Sequence, residues 1–326
     1  MHTHKIVPFA YKAIVPLALC LLLITGCDGE EEEARVELAD PIGGSSIVTA
    51  ADLLAFLERG ESNTATLSAD ISLEQEMLRI TKERDGLVIN GNGFTLSGAG
   101  DCVIRLEDGC SVTLNDVVLH SGADAIGCLG DATIGGAGLS IVGLGNGIRA
   151  AGTVTVLPNS DIQATATNGT GLIATGLVLE EGASVTGQGP LGGTDIAGSI
   201  LLKEGASLDA FTQENYNALK CDATLTMQDG ASLKVENSGQ YHGAEIGALA
   251  VSGMVTIEAA GGENCSGLFL FEQLEAITVL GHCSPAPRFE SGKGSITFVE
   301  DPADFPDEEE PAQTPAPEET QQKTEE

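Results

Sequence analysis

Apolar and polar residues alternate in short segments along most of this chain, as in Thr153-Val154-Thr155-Val156. Such alternation predicts strands that bury one face. Clusters of Gly, Asn, Asp and Ser punctuate the segments and read as turns. Three segments are near-copies: LVLEEGASV at 177–185, ILLKEGASL at 200–208 and LTMQDGASL at 225–233, at offsets of 23 and 25 residues. A fixed period of this size signals a repeat architecture.

Extending that register gives three apolar columns. The first holds Ile89, Leu114, Ile134, Val156, Leu179, Leu202, Met227 and Ile257. The second holds Leu96, Val118, Ile141, Ile162, Val185, Leu208 and Leu233. The third holds Ile104, Ile126, Ile148, Leu172, Ile196, Leu219, Ile246 and Leu268. Three short strands per period describe a coil with a three-sided cross-section, each strand pairing in parallel with its equivalent one period on. Parallel crossovers are right-handed. The expected fold is therefore all-β: a single-stranded right-handed parallel β-helix of about nine rungs of 20–25 residues, over 64–264. A leucine-rich repeat would need an LxxLxLxxN core, and a left-handed β-helix strict six-residue spacing; neither pattern is visible. An Ig-like sandwich would leave the constant period unexplained.

A coil has open ends whose unpaired edges invite association, and terminal repeats are accordingly atypical. Within 46–63, Thr49-Ala50-Ala51-Asp52 has the outline of a capping box with Asp in place of Glu. Leu53, Leu54, Phe56 and Leu57 then share one face, which predicts a short amphipathic helix over about 50–59 that covers the first end. The stretch 265–300, with Cys265, Cys283 and Pro285/Pro287, is expected to cap the last end.

The flanks differ from this body. Residues 1–26 carry a weakly basic start, an apolar run from Ala13 to Ile24, and Thr25-Gly26 before Cys27. The run falls short of the ~20 residues that span a bilayer, and the layout is that of a secretory signal. Ile24-Thr25-Gly26-Cys27 resembles the lipobox of bacterial lipoproteins. The resemblance implies cleavage before Cys27, lipidation of that cysteine and an extracytoplasmic protein tethered to the cell membrane. Two or more acyl chains make such a tether stable. Residues 27–45 read as an acidic flexible spacer and 301–326 as an acidic, Pro-rich disordered tail.

The formal net charge is −33, and the stretch 41–300 alone has 31 acids against 11 bases. A body of this charge excludes nucleic acid, whose binding rests on Lys and Arg neutralising phosphates. Six cysteines remain beyond Cys27: Cys102, Cys110, Cys128, Cys221, Cys265 and Cys283. Export permits disulfides, and six cysteines allow 15 connectivities. No CxxC pair supports zinc.

With the segments ADISLEQEMLRI and LVINGNGFTLSG, the Gly-Asn-Gly turn and the 23-residue rungs, the stretch 64–260 resembles the pectate-lyase-like β-helix superfamily. That superfamily contains lyases, hydrolases, adhesins and binding modules. The NTD, DD, GHG and RIK motifs of its polygalacturonase-like members are absent, and the calcium-aspartate motifs of pectate lyases cannot be placed. No catalytic residue is therefore carried over.

Candidate ligand contacts come from two places. The loops 211–217 and 236–245 fall at one corner of neighbouring rungs, and Tyr216, Tyr241 and His242 are expected to form a platform for a sugar there. Arg105 and Arg149 point outward two rungs apart and are candidate anion contacts; the same position holds Gly127, Ile173, Ala197, Lys220, Gly247 and Phe269 in the other rungs. Asp101, Asp108, Asp116, Asp124 and Asp131 are dense along two rungs, but calcium wants six to eight oxygens and no ligand loop of known spacing appears. No metal or other cofactor is expected, calcium being the alternative. Cys128 and Cys221 fall in a column of small residues with Ala150, Ala174, Gly198 and Ala248, so both thiols are expected to be buried and free. The expected function is a monomeric, lipid-anchored, non-catalytic module for surface adhesion or glycan binding; the alternative is a polysaccharide lyase or glycoside hydrolase.

Overall fold

The computed structural model describes residues 46–59, 62–273 and 275–304. The stretches expected to be a secretory signal and a spacer, Cys27 between them, and residues 305–326 lie outside the described residues. Among the described residues no helix is long and apolar enough to cross a membrane.

The chain winds into a right-handed parallel β-helix of about 11 turns. Among the described residues every pairing between strands is parallel, in one eighteen-stranded and one eleven-stranded sheet. At ~4.8 Å per stacked strand the rod is roughly 50 Å long. A typical turn runs from Thr153–Val156 on the first face, through Asp161–Ala166 on the second, to Leu172–Ala174 on the third. Inward residues have almost no exposed surface and stack on their equivalents: Val156 on Leu179 on Leu202, Ile162 on Val185 on Leu208, and Ile126 on Ile148 on Leu172.

The near-copied turns have a specific geometry. Gly182, Gly205 and Gly230 adopt φ of +65°, +64° and +70°, a region costly for a residue with a Cβ. That conformation turns each glycine N–H onto a carbonyl of the next turn, those of Glu204, Asp229 and Met254, at 3.0, 3.0 and 2.8 Å. The following alanines, Ala183, Ala206 and Ala231, are completely buried.

The first end is covered as expected. The helix α1 (Ala50–Arg59) starts at a reciprocal box: Thr49 N–H donates to Asp52 Oδ2 at 3.0 Å, and Asp52 N–H donates to Thr49 Oγ1 at 3.1 Å. Leu53 and Phe56 join the core, with Leu54 and Leu57 packed against it. Arg84, 9% exposed, closes the other end of the helix. Its guanidinium donates to the carbonyls of Phe56, Leu57 and Ser62 and lies over the Phe56 ring, 5.4 Å from the centroid.

Three expectations are corrected. The stretch 265–300 is more coil: Leu268–Gln273, Ala276–Ser284, Arg288–Gly292 and Ser295–Val299 stack in parallel on the preceding turns, which raises the count above nine. The columns slip in places. Leu119, not Val118, stacks on Leu96; Ile134 stacks on Val112; Ile257 belongs above Leu233 on the second face. On the third face Thr194 and Ala244 take the places expected for Ile196 and Ile246, which lie two residues further on beside Cys221. Turns differ in length by one or two residues and a bulge separates Cys221 from Thr224, so a constant offset miscounts.

Candidate functional site

At the corner between the second and third faces the strand Ser207–Thr212 ends and the chain loops to Leu219; one turn on, Ser232–Asn237 loops to Ala244. Leu219 pairs with Ala244, so counting back along both chains puts Tyr216 level with Tyr241. Their rings are nearly parallel, at 18°, with centroids 6.5 Å apart, and both are about half exposed.

Buried polar contacts fix these loops. Asn237, 2% exposed, donates from Nδ2 to the Tyr216 carbonyl at 2.6 Å and the His242 carbonyl at 3.1 Å, and its Oδ1 accepts from Gly239 N–H at 2.6 Å. Asn217 accepts from His242 N–H at 3.2 Å and donates to Glu245 Oε2 at 2.9 Å. A satisfied network of this kind holds a loop in one conformation. Neither asparagine was singled out from the sequence. The available signal was an amide at the end of an alternating strand, SLKVEN.

The tyrosines border a groove that opens into two adjoining basins. One of about 740 Å³ is lined by Thr167, Asn168, Leu191 and Asn215 as well as both tyrosines. The other, about 380 Å³, lies over Gln188, Phe211, Gln213 and Glu236. Pro190 and Glu214 border both. Aromatic faces with amides, hydroxyls and carboxylates beside them suit a ligand that presents apolar C–H patches and hydroxyls together.

His242 does not join the platform. Its ring stacks on Phe269, 4.9 Å away at 25°, and Nδ1 accepts from Ser266 N–H at 3.1 Å. The side chain after a corner takes the next face, and that turn separates it from Tyr241.

Arg105 and Arg149 stand two turns apart in register with Gly127, on the third face away from the tyrosines. Arg79 stacks directly beneath Arg105. Arg105 lies 3.6 Å from Asp101 and Arg149 3.7 Å from Asp124. Further along that face the outward residues are Asp195, Lys220 and Glu245, where the sequence register had placed Ala197 and Gly247. Lys220 pairs with Asp222 at 2.8 Å. Burial pushes the Asp195 carboxyl above its usual range against the opposing pull of Lys220.

Three of the five aspartates considered for calcium, Asp108, Asp124 and Asp131, are committed to the coil itself. Asp108 accepts from Asp131 N–H at 2.9 Å, Asp131 from Thr153 N–H at 2.7 Å, and Asp124 from Asn146 N–H at 2.8 Å. Each thus satisfies a donor one turn ahead. Among the described residues no group of three or more His, Cys, Asp or Glu is placed to hold a metal ion. The six cysteines among the described residues are free thiols. Cys128 and Cys221 are buried in one inward column, with Ile196 and Ile246 where Gly198 and Ala248 had been expected. Burial pushes Cys128 up to about 12 and Cys221 to about 11, so neither is a thiolate at neutral pH.

No family model, curated protein or solved structure matches the chain. What the structure itself establishes is the fold type, a parallel β-helix consistent with the one the sequence resemblance implied.

Proposed function

We propose that this protein is a non-catalytic carbohydrate-binding or adhesion module of the pectate-lyase-like type, tethered outside the cytoplasm by lipid on Cys27, with the Tyr216–Tyr241 corner as its binding site. The observation that carries the reading is the pair of parallel, half-exposed tyrosine rings beside a polar groove, on loops held by the buried Asn237. Such a surface offers stacking and hydrogen bonds at little cost in ordering, because the loops are already held. A glycan array probed with the full chain, with and without calcium, tests it. Binding to defined oligosaccharides supports the reading, and an array blank under both conditions removes it. Release of depolymerised product from a uronate polymer would instead favour the lyase or hydrolase alternative.

The anchor rests on Ile24-Thr25-Gly26-Cys27 and the short apolar run before it. Cys27→Ala is expected to leave an uncleaved precursor or to release the protein from membranes. A cleaved variant retained on membranes as well as the parent would contradict lipidation.

A further inference from the structure

The two tyrosines continue a longer feature of the corner. Asn168 N–H bonds the Leu144 carbonyl at 3.0 Å, and Leu191 N–H bonds the Gly169 carbonyl at 3.0 Å, so Leu144, Asn168, Leu191, Tyr216 and Tyr241 occupy the corner in five successive turns. The four large side chains among them are exposed to nearly the same degree: Leu144 47%, Leu191 45%, Tyr216 50% and Tyr241 47%. At ~4.8 Å per turn this ridge runs roughly 20 Å parallel to the rod axis. Other large apolar side chains this exposed on the described surface lie away from this corner: Leu129 between the third and first faces, and Val48 just before the helix.

The groove beside the ridge has one sign of charge. Glu214 and Glu236 are among its lining residues, and no Lys or Arg is. The whole chain carries −33. A polyanion entering it meets two carboxylates and no counter-charge, and like charges brought together at a binding surface are strongly disfavoured. A chain of uncharged sugars meets no such opposition. Its ring faces can lie on the apolar ridge, and its hydroxyls can reach Asn168, Asn215 and the two glutamates. The repeat of an extended pyranose chain is close to the height of one turn, so successive sugars meet equivalent positions.

Resting on the reading that this corner binds carbohydrate, we infer that its ligand class is a linear, uncharged polysaccharide laid lengthwise along the rod and spanning several turns, with Glu214 and Glu236 excluding uronate and sulfated chains. This departs from the acidic polysaccharides that the lyase members of the resembled superfamily cleave.

The test is titration of the full chain with β-1,4-linked glucose, mannose and xylose oligosaccharides of two to six units, beside galacturonate oligomers of the same lengths, in chelator and again in calcium. At least one neutral series should tighten tenfold or more from two units to five, and its longest member should bind at least tenfold better than the galacturonate of equal length. Glu214→Gln with Glu236→Gln should narrow that gap by tightening the galacturonate series, and an unchanged galacturonate affinity overturns the role assigned to the two glutamates. Affinity independent of length, or galacturonate binding as tight as the neutral series, overturns this inference and leaves carbohydrate binding at the tyrosines standing. If no oligosaccharide of either class binds, both fall together.

Discussion

Ile148 lies midway along the rod with no exposed surface, stacked between Ile126 and Leu172. Ile148→Asp would place a carboxylate where nothing can pair with it, a change among the most destabilising single substitutions at more than ~4 kcal/mol. Loss of the cooperative unfolding transition at ordinary temperature is the expected result, and a near-parental melting curve would mean that the column is misplaced. Residues of this kind were legible in the sequence because an inward apolar position repeats each turn. That Tyr216 and Tyr241 meet was legible because their loops are longer than those of the three preceding turns and share a corner. His242, the next residue, was not, because the direction of a side chain beyond a corner depends on backbone torsions that residue type does not encode. Asn237 and Arg84 were missed for a related reason: each donates to at least one carbonyl more than 20 residues away in sequence.

Among the elements, the helix Ala50–Arg59 shows the division between local and distant control. Its start was written locally, in the Thr49–Asp52 box and the apolar stripe. Its end depends on Arg84 from the next turn of the coil, a cation set against carbonyls at the helix C-terminus, where the backbone dipole favours it. Hydrogen bonds from a charged donor contribute ~1.5–3 kcal/mol. Arg84→Ala is expected to lower stability by about 2–3 kcal/mol, concentrated at this end. Hydrogen exchange should show lost protection at 50–58 and little change beyond the middle of the rod; unchanged protection in the helix would contradict the assignment. The strands follow the same division. Their existence and alternation were legible, whereas their register drifted wherever a turn gained or lost a residue, as between Leu114 and Ile134. The last stretch was read as a cap because Pro285 and Pro287 interrupt it, yet the prolines fall between Ala276–Ser284 and Arg288–Gly292, where no ladder bond is lost.

For the whole molecule the dominant property is negative charge, and its effect on stability has a definite sign. Burial raises the Asp195 and Asp209 carboxyls above their usual range. The folded chain therefore binds their protons at a higher pH than the unfolded chain does, and stability rises as pH falls from neutral through those raised values. Asp85 has the opposite sign. The Ser111 hydroxyl and N–H hold it low, so its contribution is present above the ordinary aspartate value of ~3.9 and is lost as pH falls below that. Melting temperature is thus expected to climb as pH falls from 7 toward the ordinary aspartate value of ~3.9 and to decline below it. The variant Asp195→Asn with Asp209→Asn should melt higher at pH 7 and climb less, and a parental profile that falls steadily from pH 7 would contradict this. At the same scale, the central claim is that the rod presents a fixed stacking surface for sugars at one corner. The direct measurement is calorimetric titration of the parent and of Tyr216→Ala with Tyr241→Ala against an oligosaccharide the parent binds, with a melting curve of each. The account predicts at least a tenfold loss of affinity with stability unchanged to within ~1 kcal/mol, the usual range for exposed positions. Equal affinity in the two proteins would contradict it and move the search to the face that carries Arg105 and Arg149.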